Sequence, residues 1–186
     1  MTLDADRARL LELLRTLSFE RRKVILASGK ESDFYVDCKR TALTAEGHVL
    51  VGRLLFEKVR HVRPLVRAVG GLTLGADPIA SAIALTSFLA GEPVDSFVVR
   101  KEPKGHGTGQ WIEGRKTIPD GSRVIVIEDV VTTGGSALKA IERCRTEKLE
   151  PVACLALVDR LEGGREAIEA QGVPLDALFT RRDFIP

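Results

Sequence analysis

Hydrophobic and polar positions change period several times along the chain, and each change marks an element. In "DRARLLELLRTLSF", Leu10, Leu13, Leu14 and Leu17 recur three and four residues apart, which predicts an amphipathic helix. "KVILASGKESDFYVDCKR" predicts two short strands around a Ser-Gly turn. Thr44 is placed to cap a helix through "AEGHVLVGRLLFEKVR", with Val49, Leu50, Leu54, Phe56 and Val59 broadly on one side. "LVRAVGG" reads as a strand ending in glycines, and "GADPIASAIALTSFLAG" as a small-residue helix closed by Gly91. "VDSFVVRK" is a further strand.

Periodicity then fails. Residues 101–121, "KEPKGHGTGQWIEGRKTIPDG", hold five glycines and two prolines, and a loop of this length inside a compact domain is usually functional or disordered. Beyond it come the strand "RVIVI", the helix "SALKAIERCRTEK", the strand "VACLALVD", the helix "GGREAIEAQ" and the strand "LDALFT". Strands that alternate with helices and read as continuous apolar runs predict an α/β fold, its parallel sheet covered on both faces.

Composition narrows the class of protein. With 186 residues the chain is expected to be one domain (1–186) with a substantial core. A net charge of +2 makes no case for nucleic acid or membrane, and 5% aromatics is poor provision for stacking bases. Cys38, Cys144 and Cys154 lie far apart with no CxxC pair, so they suggest buried thiols in a reducing compartment rather than disulfides or zinc. The N-terminus lacks the pattern of a signal peptide, and no segment approaches the ~18 apolar residues of a membrane-spanning helix. The expectation is a cytoplasmic protein.

The informative stretch is "RVIVIEDVVTTGGS", residues 123–136. A strand built for a sheet interior ends in Glu128 and Asp129, followed by small and hydroxylated residues. Ligands of open parallel sheets bind beyond the carboxyl ends of the strands. Small residues there let backbone N–H groups approach an anion, and the next helix adds the positive end of its dipole. Two carboxylates beside a phosphate cradle would repel the ligand unless they face sugar hydroxyls or a cation. A phosphorylated ribose satisfies all of these. There is no GxxxxGK[ST], so a nucleoside-triphosphate loop is excluded.

This stretch resembles the phosphoribosyl-pyrophosphate (PRPP) signature of type I phosphoribosyltransferases. "VVRKEPKGHGTGQWIEG" is similar to the catalytic loop of orotate phosphoribosyltransferases, and "SGKESDFYVDCKRTALTAEG" and "GGLTLGADPIASAIA" resemble that family's orotate-binding and pyrophosphate-side segments. The resemblance runs from about Leu10 to Arg160. It implies the type I fold, with a mostly parallel sheet, a small N-terminal hood over residues 1–40 and a mobile catalytic loop at 100–116. It implies transfer of phosphoribosyl from PRPP to orotate, giving orotidine 5′-monophosphate and pyrophosphate, a step toward UMP.

By resemblance, Arg100, Lys101, Lys104 and His106 would serve the pyrophosphate, with Lys101, Lys104, His106 and Asp129 in the catalytic set. Glu128 and Asp129 would hold the ribose, and Val130, Val131, Thr132, Thr133, Gly134, Gly135 and Ser136 the 5′-phosphate. Thr132, Arg160, Phe34 and Tyr35 would meet orotate. Arg suits a carboxylate because its planar fork makes paired hydrogen bonds. Mg²⁺ is expected on substrate oxygens, so no protein metal ligand is named. A homodimer is implied in which Lys101 acts across the interface.

The chain departs from the family pattern in two places. Ala27 stands where many relatives have Lys before the Ser-Gly, and "GGLTLGADP" lacks the usual Lys. Lys30 and backbone N–H groups of Leu72 to Ala76 are the candidate substitutes. His48 and His61 are assigned to structure or surface. The rival readings are a transferase for another base and a PRPP-sensing regulator. The first is opposed by the "RKEPKGHG" loop and Arg160, the second by the near-neutral charge.

Overall fold

The computed structural model describes residues 2–22, 24–25, 31–62, 66–103 and 110–185. Its frame is a six-stranded sheet in the order β10-β9-β8-β5-β6-β7. The strands are β5 (Val66–Leu72), β6 (Asp95–Val99), β7 (Ile112–Glu113), β8 (Arg123–Val131), β9 (Glu150–Asp159) and β10 (Leu175–Thr180). Every neighbouring pair is parallel except β6 with β7. From the central pair β5 and β8 the chain proceeds outward in opposite directions, to β6 on one side and β9 on the other. The boundary between them is the topological switch point, where a crevice opens in such sheets.

Alternation along the central strands loads both faces. Ile125, Ile127, Leu155 and Leu157 point into one core, beneath α1 (Leu3–Leu13), α3 (Ala45–Val62) and α4 (Asp77–Leu89). Val124, Val126, Cys154 and Ala156 point into the other, beneath α5 (Gly135–Thr146) and α6 (Gly164–Glu169). This is the doubly covered parallel sheet that the apolar runs predict.

Helix ends follow the sequence signals. Thr44 Oγ1 accepts from Gly47 N at 3.0 Å, and Gly91 takes φ +74° just past α4, a conformation that costs a residue with a Cβ. Buried Asp6 pairs with Arg53 at 3.0 Å and fastens α1 to α3. Val49 is the correction in α3: it is 56% exposed, because it lies about 100° around the helix from buried Leu50.

The N-terminal segment carries small antiparallel pieces. β1 (Phe19–Glu20) pairs with β4 (Tyr35–Val36), and β2 (Val24–Ile25) with β3 (Glu31–Ser32); the Ser-Gly turn between the latter lies outside the described residues. α2 (Lys39–Ala42) follows. Among its described residues, the stretch from 101 to 121, where periodicity fails, contains β7 and a 3₁₀ turn, Arg115–Thr117. A two-residue strand is too short for alternation to register, although its Ile112 is fully buried. The last element, α7 (Arg181–Phe184), was not foreseen. Its signal was present in "TRRD", since Thr180 and Asp183 form a capping box.

Candidate active site

The sheet delivers one group of side chains to one edge. At the end of β8, Glu128 is 6% exposed, and the Val130 N–H donates to Asp129 Oδ1 at 2.9 Å. Burial raises the Glu128 carboxyl well above its ordinary range, and the neighbouring Asp129, by charge and hydrogen bond, pushes it the same way. The chain after β5 approaches from the adjacent strand end. A Cβ placed on Gly75 would lie 2.5 Å from Asp129 Oδ1, so the backbone reaches the carboxylate only because the residue is glycine. The two acids therefore stand at the switch point itself.

Beside them is a cavity of about 260 Å³ lined by Glu128, Val130, Val131, Thr132, Thr133, Gly134, Gly135, Ser136 and Lys139. Gly134 takes φ +83° and turns the chain into α5. No acid occupies the first turn of α5, so its N-terminus presents an uncompensated positive end to the cavity. The only described lysine on this wall is Lys139, which makes no ion pair among the described residues. The sequence reading missed it. The signal was a cation four residues into a helix, where the helix dipole disfavours one.

Arg160 follows β9 and is 7% exposed. Its N–H donates to Val131 O at 2.9 Å, which ties it to the base of the Thr- and Gly-rich loop, and its Nη2 lies 3.0 Å from Glu162 Oε1. Its guanidinium carbon sits 5.4 Å from the centroid of Phe34. Phe34 is fully buried and meets Phe19 and Phe184 at 5.1 and 5.5 Å between ring centroids. Arg22 covers the ring of Tyr35 at 4.0 Å.

β6 ends at Val99, where the Arg100 N–H donates to Trp111 O at 2.9 Å and closes the base of the long loop as a hairpin with β7. Arg143 of α5 stacks 3.6 Å from the Trp111 ring and holds that base against the sheet. Arg100 pairs with Glu113 at 3.0 Å, and Lys101 is exposed. Neither lines the cavity beside the two acids. Lys104 and His106 lie outside the described residues, as do Ala27 and Lys30.

The loop after β5 needs one correction: the Thr73 N–H donates to Val99 O at 2.9 Å, so Leu74 to Ala76 remain as the stretch whose N–H groups can serve an anion. Lys39 is a second cation that sequence reasoning passed over. Its hydrogen bond to Asp37, 2.7 Å away, raises its pKa, and the charge of Asp129 acts in the same direction.

The three cysteines are free and buried, and burial raises each thiol, that of Cys144 to about 12. His48 and His61 lie on or beside α3 with ring nitrogens on backbone oxygens of Ala42 and Glu57, at 3.2 and 2.7 Å.

Comparison with known proteins agrees with this geometry. The phosphoribosyl transferase domain model matches residues 47–171. The orotate phosphoribosyltransferase of Sorangium cellulosum (strain So ce56) is 54% identical over 182 residues, 98% of this chain and 94% of the relative. The chain belongs to the orotate phosphoribosyltransferase family. Among solved structures, the Mycobacterium tuberculosis H37Rv orotate phosphoribosyltransferase in complex with Fe(III) dicitrate superposes with a TM-score of 0.83 at 43% identity, covering 97% of this chain and 99% of that one. The same enzyme in complex with PRPP gives 0.79 at 42% identity, over 96% and 98%. As an orotate phosphoribosyltransferase the chain has the type I fold, with helices on both faces of a parallel sheet. Among the described residues no helix is long and apolar enough to cross a membrane.

Proposed function

We infer that the chain joins N1 of orotate to C1′ of PRPP, breaking the bond from C1′ to pyrophosphate and releasing orotidine 5′-monophosphate for UMP synthesis. The observation that carries this is the pairing of a phosphate-sized cavity with two carboxylates at the switch point and a buried arginine one strand away.

The Thr132 to Ser136 loop and the α5 N-terminus receive the 5′-phosphate, with Lys139 adding a side-chain cation. Glu128 and Asp129 accept hydrogen bonds from the ribose hydroxyls, which turns C1′ toward the gap between β5 and β6. Pyrophosphate then lies against Leu74 to Ala76. Lys101, with Arg100, Lys104 and His106 of the same loop, meets the negative charge that grows on it as the bond to C1′ breaks. The loop also shields C1′ from water, which would otherwise compete with orotate. Arg160 takes the orotate carboxylate, and Thr132 contacts the base. Phe34 and Tyr35 support the pocket from the N-terminal hood, Phe34 as core beneath Arg160.

Among the described residues no cluster of three or more His, Cys, Asp or Glu could hold a metal unaided. The crowded pair Glu128 and Asp129, whose charges repel each other, suits a cation carried in on substrate oxygens. Mg²⁺ arriving this way would neutralise charge on the departing pyrophosphate.

The same reading includes a homodimer, supported by an exposed apolar face. Leu85, Phe88 and Leu89 share one face of α4 at helical spacing and are exposed, Phe88 by 72%. Exposed Leu74 of the pyrophosphate-side loop adds to the apolar residues left uncovered. In such a dimer each Lys101 would serve the other subunit's crevice.

The test is to mix protein, PRPP, Mg²⁺ and orotate and follow the loss of orotate absorbance, with adenine and uracil in parallel. Consumption of orotate alone, with release of pyrophosphate, is expected. PRPP binding without consumption of any base would leave the protein a ligand sensor.

A further inference from the structure

Around Arg160 the charged side chains alternate in sign. Asp33 Oδ1 lies 2.5 Å from Arg181 Nη2, Arg181 Nη1 lies 3.8 Å from Glu162 Oε1, and that oxygen lies 3.0 Å from Arg160 Nη2. Both guanidinium groups flank Phe34, at 5.4 and 5.7 Å from its centroid. Glu162 Oε2 is buried and accepts no hydrogen bond among the described residues.

A poorly solvated carboxylate needs flanking cations. It also stands where a base carrying its own carboxylate would arrive, and at such a site like charges repel with little screening. Arg181 is the second cation that offsets it.

We propose that Arg181 is a specificity-determining positioning residue: by holding and neutralising Glu162 it lets Arg160 receive a carboxylate-bearing base. Arg181 sits on the last helical turn of the chain, and Asp33 sits in the N-terminal segment, so both lie outside the matched domain of residues 47–171. The base side of the crevice is thus completed by the two flanks of the chain. This inference rests on the assignment of the orotate carboxylate to Arg160.

The experiment compares Arg181→Gln, Arg181→Lys, the double variant Arg181→Gln/Glu162→Gln, and Arg160→Gln. Glutamine can still donate to Asp33, so the hood contact has a substitute. Arg181→Gln should raise the orotate KM about tenfold while kcat and the PRPP KM move less than about twofold. Arg181→Lys should restore most of the loss. Removing Glu162 as well should bring the orotate KM back toward wild type, because the repelling charge has gone. A purely structural defect would not be relieved by a second substitution. An unchanged orotate KM in Arg181→Gln, a parallel rise in both KM values, or a deeper defect in the double variant would each overturn the proposal. If Arg160→Gln itself leaves the orotate KM unchanged, the carboxylate assignment fails, and the role of Arg181 fails with it.

Discussion

At the scale of single residues, the proposed mechanism separates groups that hold substrate from groups that act as charge moves. In the proposed mechanism Lys101, exposed just past β6 and outside the lining of the cavity, acts as pyrophosphate departs. Lys101→Ala should therefore lower kcat by about 10²–10³-fold with little change in orotate affinity, measured by steady-state kinetics beside equilibrium binding. Equal losses in both would assign it to ground-state binding.

Glu128 makes a prediction in pH. Its carboxyl rises on folding above the unfolded value of 4.5, so the folded chain holds a proton that the unfolded chain has released. The associated stability is present below 4.5 and is lost as pH rises through the raised value. Glu128→Gln should flatten that decline and raise the thermal midpoint at neutral pH. It should also weaken PRPP binding, which needs the ionised acceptor. Thermal melts across pH, with and without PRPP, check both halves.

Lys139 gives a simpler expectation. Lys139→Ala should raise the PRPP KM by about threefold to tenfold, and this penalty should shrink as salt is added, since the residue is exposed.

At the scale of elements, two neighbouring glycines should fail differently. A Cβ on Gly71 would lie 2.0 Å from the Ile127 carbonyl oxygen, a backbone atom of the central strand that has nowhere to go. Gly71→Ala should destabilise the sheet itself, seen as a large loss of thermal midpoint or of soluble protein. Gly75 faces only the Asp129 carboxylate, which can rotate. Gly75→Ala should fold nearly as well as wild type yet bind PRPP poorly. A normal PRPP affinity in that variant would mean that the position of Asp129 is not critical.

Much of this was legible in the chain. β8, β9 and the glycine loop between β8 and α5 announce themselves because apolar runs and small-residue turns are local signals. The position of the acids at a strand end was legible beside such signals, whereas Arg160 was singled out by the family resemblance. What escaped notice has non-local causes. Lys139 and Lys39 matter through where helices end up, and Arg181 through contacts with residues 19 and 148 positions away in the sequence. The exposed Val49 shows the opposite error, an apolar residue counted as core from spacing alone.

At the scale of the whole molecule, the shared-site dimer can be tested by complementation. Mixing Lys101→Ala with Asp129→Asn subunits under exchanging conditions should regenerate about a quarter of wild-type activity, since half the dimers are hybrids and each holds one complete site. If each subunit supplied its own Lys101, hybrids would hold no complete site and the mixture would stay inactive.

The cluster of Phe19, Phe34 and Phe184 also sets an order of events in time. Phe184 belongs to α7, yet its ring packs 5.6 Å from Phe19 and 5.5 Å from Phe34. The phosphate loop joins β8 to α5 directly, whereas the wall beneath Arg160 needs segments 150 or more residues apart to meet. Contacts of such separation form late, so on the proposed reading a refolding chain should gain affinity for a sugar phosphate before it can select a base.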